Sequence, residues 1–186
     1  IVPRGGERLI EFVKQHAQCA VLVSGRGNNF LYVSPSADWE MSKKVIVNAK
    51  TDKISGCNAL DKVLLDKKLP DLSTKIKDLV KTMEAAKVSV VGDETVEAHT
   101  QNVEKIEDNA LWKEEFLAMK ILIAVCDDID DAIKVINENS GKHSSVIMTS
   151  DKKEAEKYMQ EIDAAAVYQN ASSRFTDGGQ MGVGAE

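Results

Sequence analysis

The residues best suited to covalent chemistry surround one thiol in a polar loop. Ser55 and Gly56 precede Cys57, and the amide side chain of Asn58 follows it. The Ser-Gly approach is typical of a turn, and the apolar run at residues 62–65 is typical of a strand. We therefore expect the loop to hold Cys57 at the edge of a sheet and not in its middle. The edge is where a nucleophile would lie.

A second interpretation makes Cys57 an inert, packed residue, and composition alone favours it because cysteine is among the most buried residue types. The cysteines of the chain are Cys19, Cys57 and Cys126. Their odd number and the lack of CxxC spacing predict reduced thiols in a cytoplasm and argue against a disulfide framework or a zinc site. The three histidines are far apart in the sequence and form no metal-ligand pattern, so no metal is predicted.

A second polar segment, residues 169–180, follows the last predicted strand directly. It is rich in glycine and in hydrogen-bonding side chains, and it carries one cation, Arg174. These features fit a substrate-binding loop, and they fit a solvated surface loop equally well. The earlier loop at residues 24–29 has two glycines around an arginine. It lacks the remaining glycine of a dinucleotide-binding fingerprint, so we interpret it as an ordinary turn.

Strand and helix patterns alternate along most of the chain. Predicted helices cover residues 7–16, 39–50, 71–83, 129–140 and 151–162, with Asp38, Asp127-Asp128 and Ser150 as capping residues. Predicted strands cover residues 20–23, 30–33, 62–66, 87–91, 121–125 (the end of an apolar run at 116–125), 145–149 and 165–168. The alternation predicts a three-layer α/β fold, with a mostly parallel sheet covered by helices. In such sheets ligands bind beyond the carboxyl ends of the strands.

Composition limits the classes of protein to consider. The 186 residues are 43% hydrophobic and 29% charged, which suits one globular core, and the net charge of −6 without a basic patch argues against nucleic-acid binding. No apolar run is long enough for a membrane span, and no signal-peptide pattern opens the chain. We therefore expect a cytoplasmic protein that binds neither nucleic acid nor membrane.

Five segments occur in the order in which a known family carries them. They are IVPRGG at residues 1–6, NAK at 48–50, CNALD at 57–61, GKHS at 141–144 and NASSRFTDGGQMGVGAE at 170–186. Together they closely resemble the gamma-glutamyl phosphate reductase (glutamate-5-semialdehyde dehydrogenase) family of the aldehyde dehydrogenase superfamily. The resemblance covers nearly the whole chain and implies a fold like the aldehyde dehydrogenase catalytic domain.

The resemblance also implies a domain division. Residues 1–18 correspond to the end of a cofactor domain and its linker, and residues 19–186 to the catalytic, thiol-bearing domain. The chain has no initiator Met and stops in a glycine-rich segment. We therefore expect a fragment of a longer polypeptide, with the nucleotide-binding domain and the C-terminal tail largely absent and the fragment alone inactive.

The reaction implied by the resemblance is the NADPH-dependent reduction of L-glutamyl 5-phosphate to L-glutamate 5-semialdehyde and phosphate, in proline biosynthesis. Cys57 is then the nucleophile, and it forms a thioester because a thiolate displaces phosphate and leaves a good hydride acceptor. The implied partners are the small-molecule substrate, a functional link to glutamate kinase and a homo-oligomer of the full-length protein.

The resemblance suggests roles for further side chains. Asn58 is a candidate for stabilising an oxyanion, or for fixing its own loop. Arg174 and Asn170 are candidates for binding the carboxylate or phosphate of the substrate, or Arg174 pairs with Asp177 within the loop. Glu115 corresponds to a carboxylate that contacts the nicotinamide ribose, and is therefore a candidate cofactor-binding residue.

The chain departs from the family in one segment. Where the family usually has a His, a Cys-His pair and an Asp, residues 23–34 carry Ser24, Asn29-Phe30 and Ser34. His143 can act as an acid or base or can anchor its loop. Two other functions stay open: a non-catalytic α/β binding or assembly module, and the reductase part of a bifunctional pyrroline-carboxylate synthetase.

Overall fold

The computed structural model describes residues 1–3, 7–23 and 26–184. Its helices are α1 (Glu7–His16), α2 (Trp39–Thr51), α3 (Leu72–Ala85), α4 (Glu94–His99), α5 (Ile129–Asn139), α6 (Lys152–Glu161) and α7 (Gly178–Met181). Its strands are β1 (Asn29–Val33), β2 (Leu60–Asp66), β3 (Ser89–Gly92), β4 (Glu104–Lys105), β5 (Lys120–Cys126), β6 (Ser144–Met148) and β7 (Ala166–Gln169).

The strands form one seven-stranded sheet in the order β4-β3-β5-β2-β1-β6-β7. Every pairing between these strands is parallel. β2 is the middle strand, with β1 on one side and β5 on the other, and the crossovers between strands are mostly helical. The predicted three-layer α/β fold with a parallel sheet is confirmed.

Side-chain alternation along the strands builds two cores, one on each face of the sheet. Leu31, Val63 and Leu65 pack with apolar residues of α2 and α3 on one face. Tyr32 and Leu64, which point the other way, pack with apolar residues of α5 and α6. The sheet is therefore buried on both faces, which explains why β1 and β5 are nearly continuous apolar runs.

Aspartate side chains begin most of the crossover helices. Asp38 accepts from the backbone of Met41 at the start of α2, which confirms the predicted cap. At α5 the capping residue is Asp128, the second of the predicted pair. At α6 the predicted cap, Ser150, is wrong: Asp151 caps this helix, because its carboxylate reaches two backbone N–H groups at once.

Two predictions about strands differ from the structure. Residues 20–23 do not form a buried strand: Leu22 is 69% exposed, and its N–H donates to the carbonyl of Ile1. A short apolar run becomes a buried strand only where a sheet edge receives it. The sequence also gave no sign of β4, a two-residue polar strand at the edge that pairs with β3.

Parts of three sequence interpretations lie outside the described residues: the turn at 4–6, the start of the loop at 24–25 and the last two residues, 185–186. No helix in the described ranges has the length and hydropathy needed to cross a bilayer. The described histidine, cysteine and acidic side chains form no cluster suited to a metal ion.

Candidate functional site

Cys57 lies in the short connection between α2 and β2, at the amino end of the middle strand. The loop is built from tight turns, because Gly56 donates its N–H to the carbonyl of Lys53 and Ala59 donates to the carbonyl of Gly56. Cys57 is half-buried, whereas Cys19 is exposed and Cys126 is buried. An intermediate exposure admits a small molecule while the loop holds the thiol in place.

Cys126 is the packed, inert thiol of the chain. Its Sγ lies 3.6 Å from the carbonyl oxygen of Leu65, within the core. Burial, together with the nearby Asp66 carboxylate, raises the pKa of this thiol. A thiol that resists ionisation is a poor nucleophile, so the three cysteines have three different environments.

Asn29 fixes the position of the Cys57 loop. Its side-chain nitrogen donates to the carbonyl oxygens of Cys57 and Ala59, both at 2.7 Å. Its side-chain oxygen accepts from the N–H of Ser144 at 2.9 Å and from the hydroxyl of the same residue at 2.8 Å. This fully buried amide therefore ties the thiol loop to the start of β6.

Glu115 lies on one side of the same loop, next to Gly27. The N–H of Gly27 donates to Oε1 of Glu115 at 3.1 Å. A Cβ at Gly27 would collide with that oxygen and would lie 2.8 Å from the carbonyl oxygen of Cys57, so only glycine fits between them. Burial raises the pKa of Glu115, and the hydrogen bond from Gly27 partly opposes the rise.

Arg174 and Asn58 close the other side of the loop. Nη1 of Arg174 contacts Oδ1 of Asn58, whose Nδ2 donates to the carbonyl oxygen of Thr176 at 2.9 Å. The hydroxyl of Ser173 donates to the carbonyl oxygen of Asn58 at 2.7 Å. The segment after β7 is thus hydrogen-bonded to the thiol loop, which joins two regions that the sequence places far apart.

The predicted alternative partner of Arg174 is wrong. Nε of Arg174 pairs with Oδ2 of Asp52, at the end of α2, at 3.0 Å. Asp177 instead accepts from the N–H groups of Gly179 and Gln180 at the start of α7. These local donors hold the carboxylate of Asp177, which therefore caps α7. The guanidinium of Arg174 pairs instead with Asp52 at the end of α2.

A cavity of about 260 Å³ opens beside this arginine. It is lined by Asn48, Asp52, Ser172, Arg174, Phe175, Asp177 and Gln180. Its wall thus offers one guanidinium, two carboxylates, two amides and a hydroxyl around one aromatic ring. Such a lining suits a small zwitterion with a carboxylate and an ammonium group.

Asn170 lies elsewhere in the sheet. Its side chain accepts from the N–H of Thr149 at 3.0 Å and donates to the carbonyl oxygen of the same residue at 2.8 Å. Thr149 follows the carboxyl end of β6, whereas Cys57 precedes the amino end of β2. The structure does not bring Asn170 to the thiol, and its φ of 53° makes it a turn residue.

Buried charges lie under the thiol loop at the start of β2. Lys50 and Asp61 form an ion pair at 3.1 Å, with their side chains 0% and 3% exposed. Burial lowers the pKa of Lys50 and raises the pKa of Asp61, against the attraction between the two. Lys62, on the opposite face of the strand, is also fully buried.

Several residues of this site were not singled out in the sequence. Asn29 was assigned to an ordinary loop, although a polar pair placed directly before an apolar strand is a signal for buried amides that bond backbone. Asp52 ends a helix and carries no local signal for Arg174, which is distant in the sequence. His143 has its Nδ1 3.3 Å from the hydroxyl of Ser144, close to the Asn29 anchor.

A family model described as "Aldehyde dehydrogenase family" matches residues 100–184. Gamma-glutamyl phosphate reductase of Clostridium beijerinckii is 40% identical over 186 residues, covering 100% of this chain and 44% of that protein. The enzyme of the same name from Caldicellulosiruptor bescii is 42% identical over 191 residues, covering 100% and 45%. The chain thus spans less than half the length of these relatives.

Solved structures show the same similarity. Gamma-glutamyl phosphate reductase of Thermotoga maritima superposes with a TM-score of 0.94 at 40% identity, over 100% of this chain and 44% of that one. A propionaldehyde dehydrogenase of Rhodopseudomonas palustris, 16% identical, shares the fold with a TM-score of 0.67, over 100% and 47%. By sequence and by fold, this chain is similar over its whole length to part of gamma-glutamyl phosphate reductases, and its residues 100–184 match the aldehyde dehydrogenase family model.

Proposed function

We propose that this chain carries the thiol chemistry of an NADPH-dependent gamma-glutamyl phosphate reductase, which reduces L-glutamyl 5-phosphate to L-glutamate 5-semialdehyde and phosphate. The observation that carries the proposal is the placement of Cys57. Its half-buried thiol lies in a loop tied down on one side by Asn29 and on the other by Arg174. The relatives that match the whole chain are named for this activity.

The covalent step suits a thiol. The Cys57 thiolate attacks the acyl carbon of the substrate, a carbon–sulfur bond forms, and the bond to the phosphate oxygen breaks as phosphate leaves. Hydride addition to the resulting thioester gives a thiohemiacetal. Its collapse releases the aldehyde and restores the thiolate. A serine ester would be a poorer hydride acceptor than this thioester.

The tetrahedral species of both steps carry a negative oxygen that needs hydrogen-bond donors. The backbone N–H of Cys57 is our candidate for this role. Asn58 was the second candidate, but its Nδ2 donates to the carbonyl oxygens of Thr176 and Arg174, and its Oδ1 faces the guanidinium. We therefore assign Asn58 to fixing the thiol loop, with an indirect effect on the oxyanion.

We assign Arg174 to recognition of the substrate's carboxylate, in the polar cavity beside the thiol loop. Its Nε is held by Asp52, which orients the guanidinium at the cavity wall. Asn170 was the other candidate for this role. Because both polar atoms of its side chain bond Thr149, we propose that it acts only by fixing the start of the segment that carries Arg174.

The cofactor role that fits the described residues belongs to Glu115. A half-buried carboxylate beside the thiol loop is a suitable acceptor for a ribose hydroxyl, and the hydrogen bond from Gly27 orients it. A bound nicotinamide cofactor, which we propose to be NADPH, supplies the hydride. Glu115 binds and orients on the cofactor side, while Arg174 binds on the substrate side.

The cellular setting is part of the same proposal. We propose a cytoplasmic enzyme that acts on a small-molecule substrate, forms homo-oligomers and works with a glutamate kinase, either as a separate protein or within a bifunctional synthetase. The competing function is a non-catalytic binding or assembly module. It would require Cys57 to be packed like Cys126, and the half-buried position of Cys57 favours the enzyme.

Thiol reactivity separates the two functions. We expect iodoacetamide near neutral pH to alkylate Cys57 at least ~10-fold faster than Cys19, although Cys19 is the more exposed, because catalytic cysteines react selectively with such reagents. Peptide mass spectrometry over time gives the rate at each cysteine. Cys19→Ser should keep the fast phase, and Cys57→Ser should lose it. Equal labelling of Cys19 and Cys57 would contradict the proposal.

A further inference from the structure

Lys62 is a buried cation that the proposed chemistry does not use. It is 0% exposed and lies at the amino end of the middle strand, with Phe30 and Leu122 as its register neighbours. Its Nζ donates to the carbonyl oxygen of Glu114. The same Nζ lies 3.8 Å from the ring centroid of Phe116. Its two contacts therefore flank one residue, Glu115.

Burying an ammonium group costs free energy unless its partners compensate for lost hydration. The neighbouring acid, Asp61, points to the other face of the strand, where it pairs with Lys50, and its carboxylate also accepts a hydrogen bond from the backbone of Phe116. The hydrogen bond of Lys62 goes instead to a backbone carbonyl in the segment before β5, and its charge lies over a ring of that segment. Both contacts restrain residues 114–116.

We propose that Lys62 is a positioning residue that pins residues 114–116 and thereby holds the Glu115 carboxylate against Gly27 and the Cys57 loop. The geometric chain is short, since Glu114 and Phe116 are the covalent neighbours of Glu115, whose Oε1 accepts from Gly27 at 3.1 Å. The functional consequence rests on the proposed function, in which Glu115 serves the cofactor side. The positioning itself does not depend on Cys57 being the nucleophile.

The charges around Lys62 come from every element packed there. Asp61, Glu114 and Glu115 favour its protonated form, and Lys50 disfavours it. Lys120 of β5 shares the Phe116 ring, with its Nζ 5.6 Å from the centroid. Burial is the largest effect and lowers the pKa of Lys62 to about 8.

Amide hydrogen exchange at Gly27 reports this arrangement directly, because its N–H is the donor to Glu115. In Lys62→Met we expect exchange at Gly27 to accelerate about tenfold, while the Leu64 amide in the middle strand keeps its wild-type rate. Lys62→Arg retains a cationic donor and should restore most of the protection. NMR on the ¹⁵N-labelled proteins measures both amide rates in the wild type and in the two variants.

Lys120→Met is the matched control. It also removes a cation near Phe116, but the hydrogen bond of Lys120 goes to Glu104 at 3.1 Å, so Gly27 should exchange at the wild-type rate. Unchanged exchange at Gly27 in Lys62→Met would overturn the proposal. Equal acceleration at Gly27 and Leu64 would also overturn it, since Lys62 would then act on global stability alone.

A second measurement needs no substitution and covers the case in which Lys62→Met fails to fold. In the wild-type chain, Gly27 protection relative to Leu64 should fall as pH rises through about 8, where Lys62 loses its proton. A constant ratio across the titration of Lys62 itself, followed by the ¹³C shift of its Cε in the same samples, would overturn the proposal. Alkylation of Cys57 in the same samples tests the proposed function separately, because its failure leaves the Gly27 result intact.

Discussion

The two ends of the parallel sheet both carry polar networks, but these networks differ in what they hold. The amino edge, as we call the region around the start of β2, is formed by Gly27, Asn29, Cys57, Asn58, Lys62, Glu115 and Arg174. The carboxyl edge, beyond the ends of β1 and β6, is formed by Ser34, Ser36, Thr149, Glu154 and Asn170.

At the carboxyl edge the side chains bond one another. The hydroxyls of Ser34 and Thr149 both donate to Oε2 of Glu154, at 2.5 and 2.8 Å, and Thr149 also contacts Ser36 at 2.8 Å. Both polar atoms of the Asn170 side chain form hydrogen bonds with the backbone of Thr149. This network connects the ends of strands to the start of a helix, so its role is to stabilise the fold.

At the amino edge the side chains mainly bond the backbone of loops. Asn29 bonds the carbonyl of Cys57, Lys62 bonds that of Glu114, and Asn58 bonds that of Thr176. Such bonds fix loop positions and leave a half-buried thiol and a half-buried carboxylate beside them. The comparison teaches that the two edges are distinguished by what their hydrogen bonds position, not by the number of polar residues.

The largest expected difference between the edges comes from Asn29→Ala. It leaves two carbonyls and both donors of Ser144 without their partner in the buried site, and we expect the free energy of unfolding to fall by ~3–5 kcal/mol. Urea denaturation measures this loss. The preference of iodoacetamide for Cys57 over Cys19 should fall in the same variant, because the thiol loop loses its anchor.

Asn102→Ala is the control for Asn29→Ala, since Asn102 is exposed. It should change stability by less than ~0.5 kcal/mol. A similarly small loss in Asn29→Ala would show that the loop holds its position without this amide and would remove the main difference between the edges.

The second prediction concerns pH and the buried cation of the amino edge. The pKa of Lys62 is about 8 in the folded chain against the usual lysine value of 10.5, so between these values the unfolded chain binds more protons. Stability due to this residue therefore rises with pH across that window, by ~3 kcal/mol in total. The cost of burying the charge is present below pH 8 and is relieved towards pH 10.5.

Urea denaturation of wild type and Lys62→Met at pH 7, 8, 9 and 10 isolates this contribution. The wild type should gain stability relative to the variant as pH rises. Parallel pH curves would mean that Lys62 keeps its ordinary pKa, and the charge of Lys62 would then not distinguish the amino edge from the carboxyl edge.

The smallest effect is expected at the carboxyl edge. Glu154→Ala removes the acceptor of the Ser34 and Thr149 hydroxyls, and we expect a loss of ~1–2 kcal/mol in urea denaturation. The alkylation rate of Cys57 should stay at its wild-type value. Glu156→Ala, an exposed position on the same helix, is the control for helix propensity. A change in Cys57 reactivity in Glu154→Ala would show that the two edges are coupled.

Periodicity predicted most of the fold because the sheet is parallel and buried on both faces. The strands predicted at 30–33, 62–66 and 145–149 bury their apolar side chains against the helices on the two faces of the sheet. The predicted strand at residues 20–23 is wrong because this apolar run pairs with no strand of the described sheet. The prediction of Ser150 as the cap of α6 is wrong because the adjacent Asp151 takes that position. The carboxylate of Asp151 accepts hydrogen bonds from two backbone N–H groups.

The site was only partly predictable for a related reason. Cys57 and Asn58 stand out in the sequence because their loop is local. The contacts of Arg174 with Asp52 and Asn58 span more than a hundred residues, so no local pattern reveals them. The rule that ligands bind beyond the carboxyl ends of strands favours Asn170 as a site residue. In the structure Asn170 lies at the carboxyl edge, whereas Arg174, further along the same segment, lies at the amino edge.

The contacts between Asn58 and residues 173–176 also bear on how the chain matures. Their partners are separated by 115 to 118 residues, so they can form only after the last part of the chain has been made. At ~5–20 residues per second, a ribosome needs on the order of ten seconds to add that length. During that interval the nascent thiol loop lacks its hydrogen bonds to residues 173–176. This is the period in which Cys57 is most open to oxidation or to a disulfide with another chain.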